Sequence, residues 1–284
     1  MKTKFWRRVY KWDDGVSLEL GNRTLIMGIL NATPDSFSDG GRYDNVERAV
    51  GHAKAMAAEG ADIIDIGGES TRPGHEQVPL EEELNRVIPV IAAIRKELPH
   101  IPLSIDTYKA ETARQALEAG AHLINDVWGF KADPLMAAVA AEYGCPVIIS
   151  HNRHNRDYGE FVPDVLADLQ GGVAIAEAAG VAGDRIWLDP GIGFAKDYEQ
   201  NLHMLGSLDK LTALGYPVLL GTSRKLFIRQ TLDLPVDDVV EGTAATVALG
   251  IAQGCQIVRV HDVRVMKRIA MMTDAIVYRQ SSQR

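Results

Sequence analysis

The chain predicts an α/β protein, a TIM (β/α)8 barrel with a short β-hairpin-like N-terminal extension, on three observations. A helix closed by Gly and followed at once by a short apolar run recurs along the chain. It is seen in Glu59-Gly60-Ala61-Asp62-Ile63-Ile64-Asp65, Ala119-Gly120-Ala121-His122-Leu123-Ile124-Asn125 and Tyr143-Gly144-Cys145-Pro146-Val147-Ile148-Ile149. Leu214-Gly215-Tyr216-Pro217-Val218-Leu219-Leu220 and Gln253-Gly254-Cys255-Gln256-Ile257-Val258 repeat it. Gly supplies the left-handed helix cap. The apolar runs are continuous in Ile, Val and Leu, which suits strands of a parallel sheet buried on both faces. Such runs number eight, at 25–30, 63–66, 103–105, 123–125, 147–150, 186–188, 218–220 and 257–260, with helical patterns between nearly all of them. Eight βα units in about 250 residues specify a barrel. A doubly wound sheet would want a Gly-rich turn directly after its first strand, and none is there.

The elements follow in order. Residues 1–22 hold two short β-like stretches around a turn at Asp13-Asp14-Gly15, placed to plug or flank the barrel bottom. The first helix is expected from Asp44, an N-cap with Glu47 three residues on, as in a capping box. Glu81-Glu82-Glu83 belongs to the first turn of a helix, where the dipole favours acids. No linker interrupts the chain, so residues 1–284 form one domain.

Composition narrows the function. Of 284 residues, 46% are hydrophobic and 24% charged, with a net charge of −8, which describes a globular protein and argues against general nucleic-acid binding. Cys145 and Cys255 are too few for a disulfide framework and are expected to be small buried residues. No signal peptide and no apolar run of membrane-spanning length is seen, so a cytoplasmic location without membrane contact is expected.

In a TIM barrel the chemistry sits at the C-terminal strand ends. The first strand runs into Asn31 and Thr33-Pro34-Asp35-Ser36-Phe37. The second ends at Asp65 and enters Gly67-Gly68-Glu69-Ser70-Thr71-Arg72-Pro73-Gly74. The third, fourth and sixth end in Asp106, Asn125-Asp126 and Asp189-Pro190-Gly191. The seventh delivers Gly221-Thr222-Ser223-Arg224-Lys225, and the eighth Arg259-Val260-His261-Asp262. Asp106, Asn125 and Asp189 suit a ring edge rich in N–H donors, with Phe194 placed to stack on its face. Lys225, Arg259 and His261 follow the last two strands, where barrel phosphate sites are common, and are candidates for a phosphate or diphosphate. Asp126 and Asp262 also read as helix caps. Asn31 beside Asp35 offers hard oxygen donors to Mg²⁺. The loops after the first two strands are rich in turn formers and are expected to close over substrate.

These segments, in this order, resemble dihydropteroate synthase from about Leu25 to His261. The resemblance is carried by Ile29-Leu30-Asn31-Ala32-Thr33-Pro34-Asp35-Ser36-Phe37, Gly67-Gly68-Glu69-Ser70-Thr71-Arg72-Pro73-Gly74 and Ser104-Ile105-Asp106-Thr107. Ile124-Asn125-Asp126, Leu188-Asp189-Pro190-Gly191, Ser223-Arg224-Lys225 and Arg259-Val260-His261-Asp262-Val263 complete it. It implies a TIM barrel, usually a homodimer and using Mg²⁺, that joins 6-hydroxymethyl-7,8-dihydropterin diphosphate to 4-aminobenzoate in folate synthesis, with sulfonamides as competitors. It assigns the pterin to Asp106, Asn125, Asp189, Phe194, Gly221 and Lys225. Diphosphate falls to Asn31, Arg259 and His261, and Mg²⁺ to Asn31 and Asp35. The aminobenzoate falls to Thr71, Pro73, Ser223 and Phe37. Catalysis rests on Asp106, Lys225, Arg259, His261 and Asp35. Two departures stand out: Ser150 replaces a Met that usually packs against the pterin, and Ala195 replaces a usual Gly. A related methyltetrahydrofolate–corrinoid methyltransferase barrel and a non-catalytic pterin-binding paralogue are the alternatives. An Arg259→Ala variant is expected to lose turnover while staying largely folded.

Overall fold

A computed structural model describes residues 6–33, 42–69 and 77–278. A two-stranded antiparallel hairpin, β1 (Arg8–Lys11) and β2 (Ser17–Leu20), precedes eight parallel strands. These are β3 (Leu25–Asn31), β4 (Ile63–Gly67), β5 (Leu103–Asp106), β6 (Leu123–Asp126), β7 (Val147–Ser150), β8 (Ile186–Asp189), β9 (Leu219–Leu220) and β10 (Ile257–Val260). Each pairs with its neighbour in the order β8-β7-β6-β5-β4-β3-β10-β9. The ring closes where Val218 bridges Leu188, whose N–H donates to the Pro217 carbonyl at 2.9 Å.

The outer layer is α1 (Arg42–Glu59), α2 (Leu80–Glu97), α3 (Ala110–Glu118), α4 (Met136–Tyr143), α5 (Phe161–Ala178), α6 (Tyr198–Leu205), α7 (Leu208–Thr212), α8 (Leu226–Leu232), α9 (Val240–Ala252) and α10 (Val263–Val277). α1 begins at Arg42, ahead of the expected cap at Asp44. α2 carries Glu81, Glu82 and Glu83 in its first turn, as expected, but Glu83 is buried against Lys109 rather than solvated. Among the described residues no helix is long and apolar enough to cross a membrane.

Strand side chains alternate between two cores. Ile26, Leu30, Ile64, Ile66, Ile105, Ile124, Ile149, Leu188, Leu220 and Val258 face the helices. Leu25, Met27, Ile63, Leu123, Ile148, Trp187, Leu219 and Ile257 fill the barrel interior with Tyr10, Leu18 and Leu20 of the hairpin. The extension therefore plugs the barrel bottom, the first of the two placements the sequence leaves open. Its Tyr10 hydroxyl accepts from Trp187 Nε1 at 2.8 Å and donates to the Asp184 carbonyl at 3.0 Å. Burial of each large side chain contributes about 1.5–3 kcal/mol. Both cysteines are buried, as expected.

Candidate active site

Continuing the same alternation toward the C-terminal ends puts polar residues where the lower turns hold apolar ones. Inward positions two residues beyond Ile63, Leu123, Trp187 and Ile257 are Asp65, Asn125, Asp189 and Arg259. Register sets Asp106 opposite Asn125 and Ser150 opposite Asp189, while Asp65 lies opposite Ser104, two residues before Asp106. Asp65, Asp106, Asn125, Ser150 and Asp189 are all buried.

Arg259 joins the acids. Its Nε donates to Asp65 Oδ2 at 2.6 Å and its Nη2 to Asp106 Oδ2 at 2.6 Å. Asn125 Nδ2 donates to the same Asp65 oxygen at 3.1 Å. The sequence assigns the acids to a ring edge and Arg259 to a phosphate; here they interlock, because inward side chains of β4, β5 and β10 meet across the interior of a narrow barrel. Three acceptors stay unpartnered and buried: Asp65 Oδ1, Asp106 Oδ1 and Asn125 Oδ1. Unmade hydrogen bonds of this kind are costly, and they mark where a ligand's donors belong. Burial raises the Asp106 pKa against the pull of Arg259, with Asp65 adding to the rise. Burial also raises Asp189, opposed by the Gly191 N–H and by Lys225 and Arg259.

The opposite rim comes from the last two loops. Lys225 Nζ lies 4.2 Å from the Phe194 ring centroid, so the ring expected to stack on a ligand also holds a cation. Ser223 Oγ sits 2.9 Å from His261 Nδ1 and accepts the His261 main-chain N–H at 3.1 Å. Arg224 grips Asp262 through two bonds, tying the two loops together; Asp262 therefore makes an ion pair rather than the side-chain helix cap considered from sequence. Asp126 caps a turn instead, accepting from the Trp128 and Phe130 N–H groups at 2.8 Å each. A Cβ on Gly221 would stand 3.8 Å from Asp189 Oδ2 and 3.9 Å from Arg259 Cβ, so Gly221 keeps this corner open. Asn31 ends β3 at the same rim, half-buried.

The structure thus brings together Asp106, Asn125, Asp189, Phe194, Gly221, Lys225, Ser223, Arg259 and His261 at one barrel mouth. Asp35, Phe37, Thr71 and Pro73 lie outside the described residues. Asp65 was missed as a site residue. Its signal was present: an acid inside Ile63-Ile64-Asp65-Ile66, at the inward parity, cannot be a surface residue. Lys196 and His151, both buried beside Asp189's loop, were missed as well. Nothing in a single Lys or His position reveals a contact made across two loops.

Residues 27–261 match the model of the family described as pterin binding enzyme. The chain is 57% identical to dihydropteroate synthase of Bacillus subtilis over 92% of this chain and 91% of that protein. A crystal structure of the Clostridium difficile dihydropteroate synthase in the presence of pteroic acid superposes with a TM-score of 0.89 at 51% identity, covering 91% of this chain and 98% of that one. The Xanthomonas albilineans enzyme with 4-aminobenzoic acid gives 0.88 at 42% identity, covering 92% and 96%. A closed barrel whose mouth holds unpartnered acceptors opposite a cationic rim, matched by that family model, is a pterin-binding transferase. Within that class the chain belongs to the dihydropteroate synthase family. The 57% identity favours the synthase over the methyltransferase alternative.

Proposed function

We propose that this barrel condenses 6-hydroxymethyl-7,8-dihydropterin diphosphate with 4-aminobenzoate, releasing diphosphate and forming 7,8-dihydropteroate for folate synthesis, by a dissociative substitution. The observation that carries the site assignment is the set of buried, unpartnered oxygens on Asp106 and Asn125. A pterin presents its amino and ring N–H groups along one edge, and these oxygens are acceptors for such an edge. Asp189 adds a second carboxylate, and Phe194 with Lys225 and the opening at Gly221 forms the adjoining wall.

Breaking the C–O bond leaves negative charge on the diphosphate and positive charge on the pterin methylene. Arg259 uses Nε and Nη2 on the acids, and a guanidinium carries five N–H donors, so Nη1 remains for the diphosphate. His261, oriented through Nδ1 by Ser223, is assigned to the same task. These donors stabilise the leaving charge, and the carboxylates stabilise the cationic ring. The aminobenzoate amine then attacks, with no protein nucleophile involved. The aminobenzoate is assigned to Ser223 together with Thr71, Pro73 and Phe37, and sulfonamides are expected to compete there.

Mg²⁺ belongs to the same proposal. Asn31 offers a hard amide oxygen at the rim, a donor type that suits Mg²⁺, and Asp35 is the second proposed ligand. Among the described residues no cluster of three or more His, Cys, Asp or Glu offers a rival metal site. Bound there, Mg²⁺ would neutralise diphosphate charge.

We also read the chain as a cytoplasmic homodimer. Val265, Met272 and Ile276 form one exposed apolar row on α10, at 40%, 64% and 62% exposure, which supports a subunit contact. Diphosphate and 7,8-dihydropteroate formed in equal amounts when both substrates are present, with no pterin adduct on the protein by rapid quench and intact-mass analysis, is the expected result. A covalent adduct refutes the dissociative route, and diphosphate release without dihydropteroate in the presence of aminobenzoate refutes the condensation.

A further inference from the structure

The mechanism above leaves unused a buried cation next to the pterin wall. Lys196 is 3% exposed. Its Nζ lies 2.8 Å from His151 Nδ1 and donates to the carbonyls of Gly191 at 3.0 Å and Phe194 at 3.1 Å. His151 Nε2 lies 3.1 Å from Asp168 Oδ2, on α5. An ionised carboxylate accepts only, so Asp168 keeps the proton of neutral His151 on Nε2 and its lone pair on Nδ1. Lys196 must then donate to all three partners, which takes all three hydrogens of an ammonium.

The turn that Lys196 ties down is the one that carries the ligand-facing groups. The Gly191 N–H holds Asp189 Oδ1 at 2.7 Å, and Phe194 presents its ring to Lys225. Ala195, between Phe194 and Lys196, adopts φ +47°, a conformation unfavourable for a residue with a Cβ. Tyr158 Oη donates to the Ala195 carbonyl at 2.7 Å, and Asn201 Oδ1 accepts the Gly193 N–H at 2.7 Å. The turn is thus held at nearly every residue, with the ammonium at its centre.

We propose that Lys196 is a positioning residue for pterin binding, its ammonium locking the Gly191–Lys196 turn so that Asp189 and Phe194 meet the ligand, with Asp168 governing it through His151. The proposal rests on the assignment of the pterin to Asp106, Asn125 and Asp189. A neutral amine has two N–H groups and would turn its lone pair on that of His151 Nδ1, so loss of the proton breaks the lock. The groups facing Lys196 are Asp189 on β8, His151 after β7, Asp168 on α5, Arg153 and Lys225. Burial lowers the Lys196 pKa to about 7; Asp189 and Asp168 raise it, while Lys225 and Arg153 lower it. The lock therefore opens as pH rises through neutrality.

The test is calorimetric titration of the full chain with 6-hydroxymethylpterin diphosphate at several pH values from 6 to 9, for wild type, Lys196→Met, Asp168→Asn and Asn125→Ala. The wild-type to Lys196→Met affinity ratio cancels the ligand's own ionisation. It is expected to be about tenfold at pH 6, or about 1.4 kcal/mol, and to approach unity at pH 9. Asp168→Asn keeps an acceptor for Nε2 but removes a charge that raises the Lys196 pKa. It should match wild type at both pH limits and bind more weakly near pH 7. A ratio near one throughout, or one that does not change with pH, overturns the proposal. If Lys196→Met does not fold, Asp168→Asn decides: affinity equal to wild type near pH 7 overturns it. Wild-type affinity in Asn125→Ala would instead overturn the pocket assignment on which the proposal stands.

Discussion

Asp65 shows how much a single residue's position depends on parity. It sits in an apolar run, points inward one level above Ile63, and meets Arg259 and Asn125. Buried ion pairs of this kind are poor evidence for stability, but breaking one by removing a partner is expensive. This changes the expectation for Arg259. Replacing it by Met strands Asp65 and Asp106, so the variant should lose about 3–5 kcal/mol at neutral pH as well as turnover, measured by urea unfolding. Asp106 is already raised by burial, and without Arg259 it rises further. A carboxylate whose folded pKa exceeds its unfolded value contributes stability below the unfolded pKa and loses it as pH rises. The deficit should therefore shrink on acidification, and Arg259→Met with Asp65→Asn should recover part of it. An unchanged unfolding midpoint would count against this ion-pair network. Ala195 gives the opposite case. Its positive φ explains why the resemblance carries Gly at this position, and Ala195→Gly should stabilise the fold by about 1 kcal/mol in the same assay.

The elements divide stability from chemistry along the barrel axis. The β1–β2 hairpin closes the bottom and the loops after β8, β9 and β10 build the mouth. Tyr10→Phe, which removes two hydrogen bonds, should cost about 1–2 kcal/mol of unfolding free energy and leave kcat/KM unchanged. Reduced turnover in that variant would mean that the two ends are coupled. The loop between β7 and α5 crosses the one after β8 so closely that a Cβ on Gly191, at φ +63°, would lie 1.9 Å from the His151 carbonyl oxygen. Eight continuous apolar runs, five of them entered from a helix-ending Gly, made the strands legible, because each run is buried on both faces. The loop crossing was not legible, since local composition carries no record of which loop packs on which. Glu83 illustrates the same limit: its helix position followed from charge, but its burial against Lys109 depends on α2 packing beside the start of α3.

At the scale of the molecule, the apolar row on α10 lies on the outer helix layer and runs from the mouth end at Val265 toward Ile276. On the proposed homodimer, Met272→Glu combined with Ile276→Glu should convert dimer to monomer in sedimentation equilibrium; a monomeric wild type would refute the dimer, and an unchanged dimer mass would place its contact elsewhere. The sequence by itself determined the barrel, a hairpin-like extension at its bottom and the strand ends that hold the polar residues. Those follow from periodicity, helix caps and short-range order, which are local. Only the tertiary structure decided that Arg259 would share the acids' side of the mouth, and that Lys196, His151 and Asp168 would form one line behind Asp189. Such contacts join residues far apart in the chain, and it is closure of the ring that sets their distances.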